Sequence, residues 1–222
     1  MTDIVQRLWA GMQDLLYLLP AIVISLTVHE YFHARVAVKL GDPTPRQDGR
    51  LSLNPLHHID PLGFLVMLVV HFGWAKPVRV NPMYFENPRK GMMLTAIAGP
   101  ISNFAMFGIS SLCYFLCAVF ELPAFLGTFF IYMTLLNIGL AVFNLIPVHP
   151  LDGSRVVSYF APDFATFMMR YGNVVQLIFI ALLILPSYIG IPDLFGALIG
   201  TVQRVALDLS IRFWSLIFWF LV

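Results

Sequence analysis

The chain has 222 residues, 59% of them hydrophobic and 11% charged, with a formal net charge of +1 and a mean hydropathy of +0.82. Soluble domains carry about 25% charged residues, so this composition cannot cover a water-facing surface and implies an integral, multi-pass membrane protein. The near-zero charge, with no clustered basic stripe, excludes a broad electrostatic partnership with nucleic acid.

Arg7 precedes the apolar run "LLYLLPAIVISL". No A-x-A-like cleavage site follows, so a retained signal-anchor helix is expected rather than a cleaved leader. Residues 4–12 read as a short amphipathic lead-in. The first spanning helix is expected from about Leu15 to Leu40, with Pro20 in its early turns, where a membrane helix tolerates proline. "GDPTPRQDGR" then breaks the helix. The apolar run from Leu62 to Phe72 falls short of the ~20 residues of an ordinary span. With the Val-rich alternation of "AKPVRVNP", it suggests a re-entrant or strand-like element at the interface.

Further spans are expected from about Met92 to Phe120, from about Phe125 to Ile146 and from about Tyr171 to Leu185, with a short helix holding Arg155 before the last of them. Cys113 and Cys117, four apart in an apolar helix, read as small hydrophobes rather than metal ligands. Residues 193–222 stay open. Arg204, Asp208 and Arg212 share one helical face, which suits either a polar-faced span or two half-length segments. The fold class is all-α and polytopic, in a single domain over 1–222.

Orientation follows from lysine and arginine. The connection from Arg35 to Lys90 also carries Lys39, Arg46, Arg50, Lys76, Arg79 and Arg89, whereas "ELPAFLG" and "PSYIGIPD" carry none. The positive-inside rule puts the long connection in the cytoplasm and the N-terminus on the other side. His29 then lies about 14 residues, or roughly 21 Å, along its helix, inside the bilayer and nearer the cytoplasmic face.

Within that first span stands "HEYFH". Ionisable groups at membrane depth cost roughly 2.5–3.5 kcal/mol each on insertion scales, so something must offset them. The four-residue spacing places His29 and His33 on one helical face, where both imidazoles can reach one zinc ion. Glu30 between them can serve as general base toward the attacking water. A catalytic zinc needs a third protein ligand and one open position. "NLIPVHPLDG" offers Asp152 at the matching depth, with His149 as a rival whose helical relation to Asp152 is disturbed by Pro150. Asp152 can also act as a helix N-cap. Charge counting prefers the carboxylate, since a dication held by two neutral imidazoles, one carboxylate and one hydroxide carries no net charge in a low-dielectric interior.

Asn144 can hydrogen-bond a substrate carbonyl or the tetrahedral oxyanion, or simply join helices. Asn103 can do the same, or pack and cap its helix. His57 and His58 are expected to be solvated loop residues, and His71 is left without a role.

The ordered set of HExxH in the first core helix, "AGPISN" opening the next and "NLIPVHPLDG" ending the third resembles the site-2 protease family of intramembrane zinc metalloproteases. "GRLSLNPLHHIDPLG" and "GWAKPVRVNP" resemble its short bacterial and archaeal branch, which lacks a PDZ domain. The resemblance implies a three-helix catalytic core over about 15–160, followed by transmembrane helices over about 170–222. It implies one zinc per chain on His29, His33 and Asp152, with Glu30 as base. It further implies a prokaryotic cell-membrane location and transmembrane-helix substrates. Intramembrane histidines and aspartates also line metal-transport pathways. A transporter or a non-catalytic helix-binding adaptor is therefore the alternative; transport predicts several successive sites, hydrolysis one closed set of ligands.

Overall fold

A computed structural model of the protein describes residues 2–63, 65 and 75–220. Six helices carry the fold: α1 (Thr2–Lys39), α2 (Pro88–Val119), α3 (Ala124–Asn144), α4 (Asp152–Phe160), α5 (Pro162–Ile189) and α6 (Leu194–Ile217). Local chemistry sets their ends. Asn87 caps α2 by accepting from the Lys90 N–H, with Pro88 at the first helical position. Gly190 terminates α5 in the left-handed region at φ 72°, and the Asp193 side chain caps α6. Among the described residues, five helices are long and apolar enough to cross a membrane: α1 from Asp14, α2, α3, α5 and α6. The protein is an all-α, multi-pass membrane protein.

The lead-in expected at 4–12 is continuous with α1 rather than separate. The helix expected from Tyr171 begins earlier, at Pro162, and the open tail resolves into the single helix α6. Much of the expected re-entrant run, including His71, lies outside the described residues. Residues 76–81 form neither helix nor strand, and one antiparallel bridge joins Ile59 to Ala75.

Interhelical bonds fix the directions. Near the start of α1, Asp14 accepts from Tyr132 Oη of α3 at 2.6 Å, and Ser25 further along accepts from Asn137 at 2.9 Å, so α1 and α3 run parallel. Helix α2 runs against both, since His29 meets Asn103 while His33 meets Thr95. Gln203 of α6 donates to the Leu135 carbonyl at 2.9 Å, and Trp214 donates to Ser111 Oγ at 3.0 Å. Beyond it, Phe218 stacks on Phe115. Helix α6 is therefore antiparallel to α3 and parallel to α2. It starts at the end of the bundle where α3 stops, and that end holds the polar site. Phe179 of α5 packs against both Phe143 and Phe195, at 5.8 and 5.4 Å between ring centroids. The connection from Leu145 to Asp193, α5 included, thus leaves and returns at the site end.

The packing is that of a membrane bundle. Ser25, Thr95, Ser102, Asn103, Ser110, Ser111, Thr134 and Asn137 are buried between helices, while Leu16, Ile101, Leu177 and Leu216 face outward. Small and hydroxylated residues let helices approach closely where lipid removes the usual hydrophobic drive.

Candidate metal centre

Ser25, His29 and His33 recur every four residues and form one stripe along α1. Thr95, Gly99 and Asn103 repeat that spacing on α2, and Met133 and Asn137 on α3. The three stripes meet. His29 Nε2 lies 2.9 Å from His33 Nε2, and Asp152 Oδ2 lies 3.3 Å from the first and 3.2 Å from the second. A tetrahedral ion with bonds of about 2.0–2.1 Å has ligand-to-ligand edges of about 3.3 Å, so the three atoms stand where three corners of such a site would be.

The far nitrogens define the tautomers. His33 Nδ1 sits 2.7 Å from the Thr95 carbonyl oxygen, which can only accept, so that nitrogen carries the hydrogen. For His29 the assignment is relayed. Asn137 Nδ2 donates to the Met133 carbonyl at 2.8 Å, which turns its amide oxygen toward Asn103 Nδ2, 2.9 Å away. Asn103 Oδ1 is left facing His29 Nδ1 at 2.5 Å, and this nitrogen is again the donor. With both rings neutral, as metal ligation requires, their Nε2 atoms present bare lone pairs to each other and to a carboxylate. Three acceptors converge with no hydrogen between them, an arrangement that a bound cation stabilises and that is repulsive without one.

Two glycines make the approach possible. A Cβ on Gly99 would lie 2.5 Å from His29 Cε1 and would also overlap the His33 ring. A Cβ on Gly153 would run into the carbonyls of Leu145 and Ile146, so this glycine lets the start of α4 close onto the end of α3. Asp152 is the first residue of α4, and Leu151 holds the cap position without a side-chain bond. The aspartate is therefore not the N-cap; its carboxylate turns to the imidazoles, with the positive end of the α4 dipole beside it. His149 is exposed and lies alongside Gly172 of α5. The structure brings Asp152 to the histidine pair and leaves His149 outside.

A cavity of about 130 Å³ opens at this group and is also lined by Glu30, Val78, Val80, Thr95, Asn144 and Arg155. Glu30 is buried, and its Oε2 accepts from the Val78 N–H at 3.1 Å. The segment that supplies this N–H is fastened at both ends. Buried Arg50 donates to the carbonyls of His57, Lys76 and Pro77. Buried Asp42 accepts from the Asn81 and Thr44 N–H groups.

Asn144 faces the cavity and donates to the Leu140 carbonyl of its own helix. Asn103 lies behind His29, fully buried, with both polar ends engaged in the relay. His57 binds the Gly49 carbonyl. His58 departs from the expectation of a solvated loop histidine: it is buried at 1% exposure, because the connection folds over it and its Nε2 donates to the Ser52 carbonyl at 2.7 Å. Ser25, Asn137, Thr95, Arg50 and Val78 escaped sequence reasoning. For the first three the four-residue spacing from His29, Met133 and Gly99 is the legible signal; Arg50 and Val78 act through backbone groups, which side-chain patterns do not encode.

Among the described residues, His29, His33 and Asp152 form the group whose ligand atoms lie close enough to hold a metal ion, within 4.8 Å of one another. The sequence model of peptidase family M50 matches residues 122–186, which contain α3, α4 and the aspartate. A Bacillus subtilis (strain 168) protein named "Putative zinc metalloprotease YwhC" is 40% identical over 172 residues, covering 73% of this chain and 78% of its own length. "Putative zinc metalloprotease Rip2" of Mycobacterium tuberculosis (strain ATCC 25618 / H37Rv) is 25% identical over 211 residues, covering 89% and 80%. Its namesake in Mycolicibacterium smegmatis (strain ATCC 700084 / mc(2)155) is 29% identical over 139 residues, covering 59% and 52%. No solved structure matches. With its HExxH helix, its LDG aspartate and these relatives, the chain belongs to peptidase family M50, the site-2 proteases, a family of membrane metalloproteases.

Proposed function

We propose that the protein hydrolyses peptide bonds within or near the transmembrane helices of other membrane proteins, as an intramembrane zinc endopeptidase of regulated proteolysis. One zinc ion per chain is held by His29, His33 and Asp152. The observation that carries this reading is the convergence of three acceptor atoms at metal-ligand spacing beside a buried glutamate. The single ligand group among the described residues favours hydrolysis over metal transit, which calls for a succession of sites.

The chemistry a zinc ion supplies in this position is Lewis acidity, which polarises a scissile carbonyl and acidifies water. The remaining work falls to the chain. Glu30 takes a proton from the attacking water and passes it to the leaving amine. The Val78 N–H fixes one of its carboxylate oxygens. A cavity of about 130 Å³ has room for about four waters at about 30 Å³ each. The Asn144 side chain faces that cavity with a second amide hydrogen free for a substrate carbonyl. A helical peptide bond hides its carbonyl in an i→i−4 bond, so the substrate must unwind. Residues 76–80, free of helix and held at both ends, offer backbone groups for strand addition.

The lysine- and arginine-rich connection supports a site toward the cytoplasmic face, and the resemblance to the short bacterial and archaeal branch supports a prokaryotic cell membrane. The test is cleavage of a transmembrane peptide by purified protein with and without chelator, beside zinc quantification. Glu30→Gln is expected to retain zinc and lose cleavage. Undiminished cleavage by that variant removes Glu30 from the mechanism; stoichiometric zinc with no chelator-sensitive cleavage of any helix tried removes proteolysis.

A further inference from the structure

A second cavity, about 640 Å³, adjoins the metal cavity on the site side of the bundle, between the start of α2, helix α4 and the first half of α5. Its size is that of ligand pockets generally. Met92, Met168 and Met169 supply adaptable apolar walls. Arg89, Arg155 and Arg170 supply three positive charges, and no carboxylate is among the lining residues. None of the three guanidiniums pairs with a carboxylate among the described residues. Arg155 lines both cavities.

We propose that this cavity is the subsite receiving the flank of the substrate chain on the site side, and that its arginines select acidic residues there. The proposal rests on the proteolytic reading above and names the substrate class of that site. The shared Arg155 wall argues for a polypeptide occupant, because a chain lying across the metal group and passing Arg155 would reach the larger cavity. Unpaired guanidiniums recognise carboxylates with fork-like geometry. Transmembrane helices ordinarily carry lysine and arginine at their cytoplasmic ends. A cationic subsite there repels the common flank and admits the uncommon one, which is selectivity by repulsion as much as by attraction.

The experiment uses the full-length, zinc-loaded protein and two synthetic transmembrane peptides. They share one apolar stretch and carry either a run of glutamates or a run of lysines on the flank. The glutamate peptide is expected to be cleaved with a kcat/KM about tenfold higher at low salt, a margin that shrinks as salt is added. Arg89→Glu with Arg170→Glu, both on exposed side chains, is expected to invert the preference at unchanged zinc content. Should that pair lose zinc, Arg89→Gln with Arg170→Gln is expected to abolish the preference instead. Equal cleavage of the two peptides, or a preference that survives these substitutions, overturns the subsite. Binding of labelled peptides to the Glu30→Gln protein separates the two readings. Preferential capture of the glutamate peptide with no cleavage by the parent protein keeps the subsite and sinks proteolysis, and cleavage without preference does the reverse.

Discussion

Asn137 Nδ2 donates to the Met133 carbonyl oxygen one helical turn away, at 2.8 Å, and that bond sets the tautomer of a histidine on a different helix. The carbonyl can only accept, so the orientations of Asn137, Asn103 and His29 follow in turn. Partners of this kind hold a metal-binding imidazole in its tautomer and typically change metal affinity about 10–100-fold when removed. Asn103→Leu is accordingly expected to weaken zinc binding by about 10–100-fold. Asn137→Leu, one bond further back, is expected to weaken it by less. Competition with a chromogenic chelator reads both, and parent-like affinity in Asn103→Leu would show that the relay does not set the ring.

Gly99 poses a steric prediction in place of an electrostatic one. Its Cα faces the gap between the two imidazoles, and an added Cβ would lie 2.5 Å from His29 Cε1. Alanine itself favours helix by about 1 kcal/mol over glycine, so Gly99→Ala keeps α2 helical while pushing the rings apart. The expected result is a protein of normal helix content by circular dichroism that no longer retains zinc through gel filtration. Retention of stoichiometric zinc would mean that the rings shift without losing the ion.

The site was legible in sequence where side chains act at fixed helical spacing. His29 and His33 declare themselves because two ionisable groups one turn apart in an apolar run demand a compensating partner, and Asp152 matches their depth. The direction of α6 was not legible. Its contacts with Leu135 and Ser111 are single hydrogen bonds from Gln203 and Trp214, and neither residue differs in kind from those of any other polar-faced span. Nor was the folding of the connection between α1 and α2 legible, because Arg50 and Asp42 hold residues 76–81 through backbone carbonyls and N–H groups. Such anchors leave no periodic trace.

His58 lies in that connection and gives it a pH dependence. Burial is the main cause of its pKa falling below the ordinary histidine value, and the nearby Arg50 guanidinium adds to it. Nε2 donates to the Ser52 carbonyl, while buried Nδ1 has no partner among the described residues, so a second ring hydrogen finds no acceptor there. A folded-state pKa below the unfolded one means that protons favour the opened connection. The packing is whole above about pH 6.5 and is lost as pH falls through the lower, folded value. The Lys76 N–H donates to the His58 carbonyl at 2.8 Å, so its hydrogen exchange, corrected for intrinsic rate, is expected to accelerate below about pH 6.5. In His58→Gln that acceleration is expected to vanish, and its persistence would place the titrating group elsewhere.

The last prediction concerns the ends of the chain. Helix α1 runs toward the site end, α2 away from it, α3 toward it and α6 away, as the pairs His29–Asn103, Ser25–Asn137 and Gln203–Leu135 require. The segment between α3 and α6 begins and finishes at the site end, where Phe179 is held against Phe143 and Phe195. Helix α5 is long and apolar enough to cross, yet one full crossing would deliver α6 to the wrong end and break its bonds to Leu135 and Ser111. Both termini are therefore expected on one side of the membrane, opposite the connection holding Lys76 and Lys90. With Cys113 and Cys117, both free thiols, replaced by alanine, single cysteines near Lys90 and at exposed Phe220 are expected to react with impermeant maleimide from opposite faces. Reaction of both from the same face would mean that α5 crosses and that α6 packs in the reverse direction.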